Sequence, residues 1–157
     1  MAGSVDSESL NQHRHTLGQH PRMHGYYLLN VVPLPIGWHD DEEGSLTTAF
    51  EALDDQTWPP PQLRAQDQLW VDYQVDEAKA RAHAIEALVG GGAVGHCRDT
   101  IPKGDASAIW KRFRDLFSPG ARFFIGLGFG DSMYVFQHGA VLVDDEKAGC
   151  LCVVESD

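Results

Sequence analysis

From Gly25 onward, apolar and polar positions recur with clear local periods. Residues 26–32, Tyr-Tyr-Leu-Leu-Asn-Val-Val, are almost all β-formers and read as a central strand, closed by Pro33 and Pro35. Leu46, Ala49, Phe50 and Leu53 share one helical face behind Ser45, a candidate N-cap. Residues 68–75 alternate and predict a half-buried strand. In it Leu69, Val71, Tyr73 and Val75 face inward, and Trp70, Asp72 and Gln74 face the other way. Asp76 caps a second helix with the stripe Ala78, Ala82, Ile85, Leu88 and Val89, which puts His83 near its outer face. Gly90, Gly91 and Gly92 end this helix. Residues 94–97 form a further short strand. Asp105 caps a third helix, with Ile109, Trp110, Phe113, Leu116 and Phe117 inward and Ser118-Pro119-Gly120 as its stop.

The remainder reads as strands only: residues 122–127, 133–138, 140–143 and 150–154, joined by short Gly- and Asp-rich connections that indicate antiparallel hairpins. The expected class is α+β: a mixed β/α N-terminal part with three helices, then a C-terminal antiparallel β-meander, in one compact domain over residues 25–157. Residues 1–24 are polar and hold four histidines, with no helical or strand period. They read as a disordered tail, because ordering them would not repay the entropy.

Charge narrows the function classes. Twelve Lys and Arg stand against 23 Asp and Glu, a formal net charge of −11. In the tail Asp6 and Glu8 balance Arg14 and Arg22, so the excess belongs to the domain. Such acidity disfavours nucleic acid and anionic membrane as direct ligands, since phosphate binding needs local positive charge. It suits a basic protein partner. Three cysteines, Cys97, Cys150 and Cys152, make no disulfide framework. The last two alternate with Leu151 and Val153 as small buried hydrophobes. No secretory h-region and no bilayer-spanning apolar run are visible, which gives a cytoplasmic expectation.

Catalytic patterns are weak. Glycines 126, 128 and 130 superficially match a phosphate loop, but a strand follows where the chemistry needs a helix N-terminus. His96 and Cys97 would point to opposite faces of an extended segment, so activation of the thiol would need another partner such as His138. The tail histidines His13, His15, His20 and His24 have no regular ligand spacing. No catalytic residue, metal site or cofactor is therefore assigned.

Three acidic runs are left: Asp40, Asp41, Glu42 and Glu43; Asp54 and Asp55; and Asp144, Asp145 and Glu146. Trp38 and Trp58 flank the first two, as aromatic anchors flank charge at protein interfaces. These residues form the expected partner-binding set. The corresponding function is an acidic protein-binding module, of inhibitor or immunity type, that occupies the cationic site of a nucleic-acid- or nucleotide-acting enzyme. The rivals are a small Cys/His-dependent hydrolase and a structural subunit of a larger assembly.

Overall fold

The computed structural model describes residues 7–18, 25–53, 69–90, 101–126 and 136–155. Among them, four α-helices and a five-stranded antiparallel sheet make an α+β domain. In chain order these are α1 (Ser7–Gly18), β1 (Gly25–Pro33), α2 (Glu42–Leu53), β2 (Gln74–Val75), α3 (Glu77–Gly90), α4 (Lys103–Arg114), β3 (Arg122–Phe124), β4 (Phe136–Val143) and β5 (Lys147–Glu155). Two 3-10 turns, Trp38–Asp41 and Trp70–Tyr73, precede α2 and β2.

The strand order is β1-β5-β4-β3-β2. The expected meander is present as β3-β4-β5, and the first strand adds to its far side in register Gly25↔Glu155 to Pro33↔Lys147. Both faces of the sheet are covered. Leu29, Phe123, Ala140, Leu142, Leu151 and Val153 pack beneath α1, α3 and α4. Their neighbours Leu28, Phe124, Val141, Val143, Cys150 and Cys152 pack against α2 and the 3-10 turns. Alternation along a strand thus serves two cores, which is why β1 and β5 read as nearly continuous apolar runs.

Several elements differ from the sequence reading. Ser7–Gly18, within the expected tail, is helical and seats Leu17 in the core at 2% exposure. Two leucines and a buried His13 do the packing, too few apolar positions to register as a period. Residues 70–73 form a 3-10 turn in place of a full strand, and the facing is inverted: Trp70 is buried, while Leu69 and Val71 are exposed. Trp70 donates its backbone N–H to Glu43 Oε1 at 3.0 Å and its indole N–H to the Glu43 carbonyl and Thr47 Oγ1 at 3.2 and 3.1 Å. These tertiary bonds override the local alternation. Asp76 does cap α3, accepting the Lys79 N–H at 2.7 Å. The buried face of α3 is Ala80, Ala84, Ile85, Ala87 and Leu88, leaving Ala78 and Ala82 outside and His83 half-buried.

α2 starts at Glu42 and α4 at Lys103, ahead of the caps expected at Ser45 and Asp105. Ile109, Trp110 and Phe113 of α4 face inward as expected, but the helix ends at Arg114, so Phe117 is buried from the loop after it and Leu116 is only half-buried. β4 runs unbroken through the expected break at residues 138–139. A Cβ at Gly139 would lie 2.5 Å from the Cys152 Cα and closer still to the Leu151 carbonyl, so glycine is there for close strand approach and not for a turn. Residues 94–97 lie outside the described residues.

Candidate functional site

The acidic residues take different duties according to what the fold supplies them. Asp144, from the third run, is 6% exposed. Its Oδ1 accepts the N–H groups of Glu146 and Lys147, each at 2.9 Å, and its Oδ2 accepts the Ser118 N–H at 3.0 Å and Lys147 Nζ at 2.9 Å. Burial by itself would raise its pKa. The bonds from the Lys147 side chain and from the Glu146, Ser118 and Lys147 amides outweigh that and hold the carboxyl below its usual 3.8. The Lys147 ammonium also lies 5.3 Å from the centroid of the Phe117 ring. Asp144 therefore ties the β4–β5 turn to the loop after α4 and is not part of an open surface.

Two members of the first run are also engaged internally. Glu42 pairs with Arg122 of β3. Glu43 accepts Trp70, as above, and anchors the second 3-10 turn on α2. Trp38 is 4% exposed, and its indole N–H donates to the Asp145 carbonyl at 2.9 Å. It folds over the core where the sequence reading puts an interface anchor.

What remains outward converges at one end of the sheet. Trp38 and the Leu34 N–H, which donates to the Glu146 carbonyl at 2.8 Å, strap the turn after β1 onto the β4–β5 turn. This brings Asp40 and Asp41 of the first run near Asp145 and Glu146 of the third, all four residues exposed. The His39 ring stacks on Trp38 at 3.9 Å and reaches Asp145 Oδ1 at 3.3 Å. Asp41 Oδ1 also accepts the Gly44 N–H at 3.3 Å at the start of α2.

Ile36 stands at the turn that leads into this acidic end, fully exposed. Pro35 before it and Gly37 after it, the latter at φ 81°, a value costly for other residues, hold the turn open. Val32, Pro33 and Pro35, ahead of Ile36 in the chain, line a groove of about 640 Å³ together with Asp41, Thr48 and Ala52. Ile36 gave no periodic signal and was not singled out from the sequence. An apolar residue between a proline and a glycine is a local mark of an exposed turn.

Asp54, Asp55 and Trp58 lie outside the described residues, as do His96, Cys97 and the side chain of His138. Cys150 and Cys152 are buried, and the Cys150 thiol donates to the Leu28 carbonyl at 3.9 Å. Among the described residues, no group of three or more His, Cys, Asp or Glu side chains is placed to hold a metal ion, and no helix is long and apolar enough to cross a membrane. Comparison with known proteins finds no match to this chain among family models, curated proteins or solved structures.

Proposed function

We propose that this chain is a protein-binding module whose acidic end takes a basic segment of a partner protein. The observation that carries this reading is that the turn leading into Asp40 and Asp41 is bonded to the turn that holds Asp145 and Glu146, with all four residues and Ile36 exposed. Like charges brought together at a surface repel one another, a cost that an approaching cation relieves. An exposed branched apolar side chain beside such charge supplies the desolvated contact that binding energy needs, with the carboxylates as rim. The overall charge of −11 extends the attraction beyond contact range and favours fast encounter with a basic surface. The partner class is a basic protein, and an enzyme with a cationic nucleic-acid or nucleotide site fits that class. An inhibitor would work here by occupying that site.

The test starts with capture from the native host, using wild-type protein and two folded variants as baits. One is Ile36→Ser; the other combines Asp40→Asn, Asp145→Asn and Glu146→Gln. A specific basic partner is retained by wild type and lost or weakened with both variants. With that partner purified, the charge variant should associate about tenfold more slowly at low salt and lose most of the salt dependence. Equal association rates for wild type and the charge variant across 50–500 mM salt, roughly the range over which screening becomes complete, would refute the reading.

A further inference from the structure

In α1 the residues Leu10, His13 and Leu17 fall on one helical face, at spacings of three and four. The structure turns this face inward: Leu17 is 2% exposed, His13 5%, and Leu10 half-buried. A titratable ring thus occupies the centre of the apolar stripe by which this helix packs. His13 and Arg112 of α4 line one pocket, and there the Arg112 charge opposes a second positive charge on the ring while the Arg112 backbone favours it. Gln12, His13, Arg112, Asp115 and Leu116 line an open pocket of about 450 Å³ between the helices. Asp115 could favour a cation there, but it lies 3.5 Å from Lys111 on its own segment and is well exposed. Glu8 and His15 line an adjoining groove on the other side of Arg112. Burial first, and the Arg112 charge second, lower the His13 pKa from 6.5 against the opposing backbone bond.

The next residue does different work. Arg14 reaches β1, where its Nε and Nη2 donate to the Leu29 carbonyl at 3.2 and 2.9 Å and Nη2 donates to Asn30 Oδ1 at 2.6 Å. Among the described residues β1 is an edge strand, paired only with β5. The Leu29 carbonyl therefore points off the sheet, and Arg14 caps it as a neighbouring strand otherwise would. Three contacts thus hold this short helix, Leu17 in the core, His13 toward α4 and Arg14 on β1, and through Arg14 it covers the outer edge at Leu29 and Asn30.

We propose that α1 is a pH-released cover: protonation of His13 undocks Ser7–Gly18 from α4 and uncovers the outer edge of β1, while the rest of the domain stays folded. The sign follows from linkage. A histidine that is neutral when docked contributes fully above its free value of 6.5, and the contribution is lost as pH falls from there toward the docked value. Across that interval the docking constant drops by up to about tenfold per pH unit. The domain survives because Ile109, Trp110, Phe113 and Phe117 keep α4 on the sheet without α1. Release leaves the Leu29 carbonyl unpaired and vacates the Leu17 site, which turns a capped edge into one open to strand pairing.

Hydrogen exchange of the full chain, corrected for intrinsic rates, tests this at pH 7.5 and pH 5.0. Protection of residues 7–18 and of β1 should fall threefold or more at the lower pH, with α3 and β4–β5 unchanged. His13→Leu should keep α1 protected at both values, and His15→Leu should behave as wild type. If His13→Leu does not fold, His13→Gln supplies a neutral donor for the same comparison. A fall of less than threefold in wild type, an equal fall in the His13 variant, or a uniform loss across the domain would each overturn the proposal.

Discussion

Asp144→Asn isolates one buried charge and one hairpin. The carboxylate accepts three backbone N–H groups and the Lys147 ammonium, all between 2.9 and 3.0 Å. Asparagine keeps one acceptor oxygen, enough for the Glu146 and Lys147 amides. Its NH2 group then faces two donors, the Ser118 N–H and Lys147 Nζ. The lysine side chain is only 10% exposed, so its charge stays buried and unpaired. Breaking a buried pair in this way costs about 3–5 kcal/mol. For a chain of this size that lowers Tm by roughly 6–20 °C. Urea unfolding at pH 7 measures it directly, with m unchanged if the native state stays compact. Adding Lys147→Met should recover part of the loss, because the orphan charge is then gone. The pH dependence has a definite sign. The folded Asp144 pKa lies below 3.8, so its contribution is complete above that value and disappears as pH falls through the folded one. The gap between wild type and Asp144→Asn should therefore narrow below pH 3.8. A cost under about 1 kcal/mol at pH 7, or a gap that is constant down to pH 2, would refute the account of Asp144 as a buried structural charge.

Three further outcomes are expected. Gly139→Ala should destabilise by about 3 kcal/mol or more, since its methyl meets β5 backbone that has no room to retreat, and chemical denaturation measures this. Trp70→Ala should cost about 3–5 kcal/mol through lost packing and lost bonds to Glu43 and Thr47, whereas Val71→Ala, at an exposed site, should stay within about 0.5 kcal/mol in the same assay. A chain that starts at Gly25 should unfold at a Tm lower by at least about 3 °C, because it forfeits the buried Leu17, worth roughly 1.5–3 kcal/mol, and the Arg14 contacts; an unchanged midpoint would mean that α1 adds nothing to the fold.

Local structure was legible wherever the apolar pattern matched the burial of the element, one face for a helix stripe and both faces for a continuous strand run. The stripe Ile109, Trp110, Phe113 and Phe117 gave α4, and the run around Cys150 and Cys152 gave β5. The β3-β4-β5 meander followed from short connections, since neighbours in sequence with tight turns have few alternatives. The residues of the candidate site were legible only as composition. Asp40 and Asp144 look alike in sequence, each opening an acidic run. One is exposed and the other is among the most buried polar groups described. No nearest-neighbour pattern separates them, because the difference is made by Ser118, 26 positions away, and by a lysine folded under the same turn.

The sequence by itself determined the secondary elements with a strong period, the α+β class and the acidity. Each depends on spacing or on a sum over residues, and needs no knowledge of distant contacts. Only the tertiary structure decided that β1 pairs with β5, that Trp70 turns in while Leu69 and Val71 turn out, and that a sparse polar segment docks as α1. It also decided that the turn before Asp40 is bonded to the turn that holds Asp145, about a hundred residues away. Those outcomes depend on which donors, acceptors and apolar surfaces arrive from elsewhere in the chain. A buried N–H or carboxylate takes its partner from the assembled fold, and local sequence does not say what that partner will be.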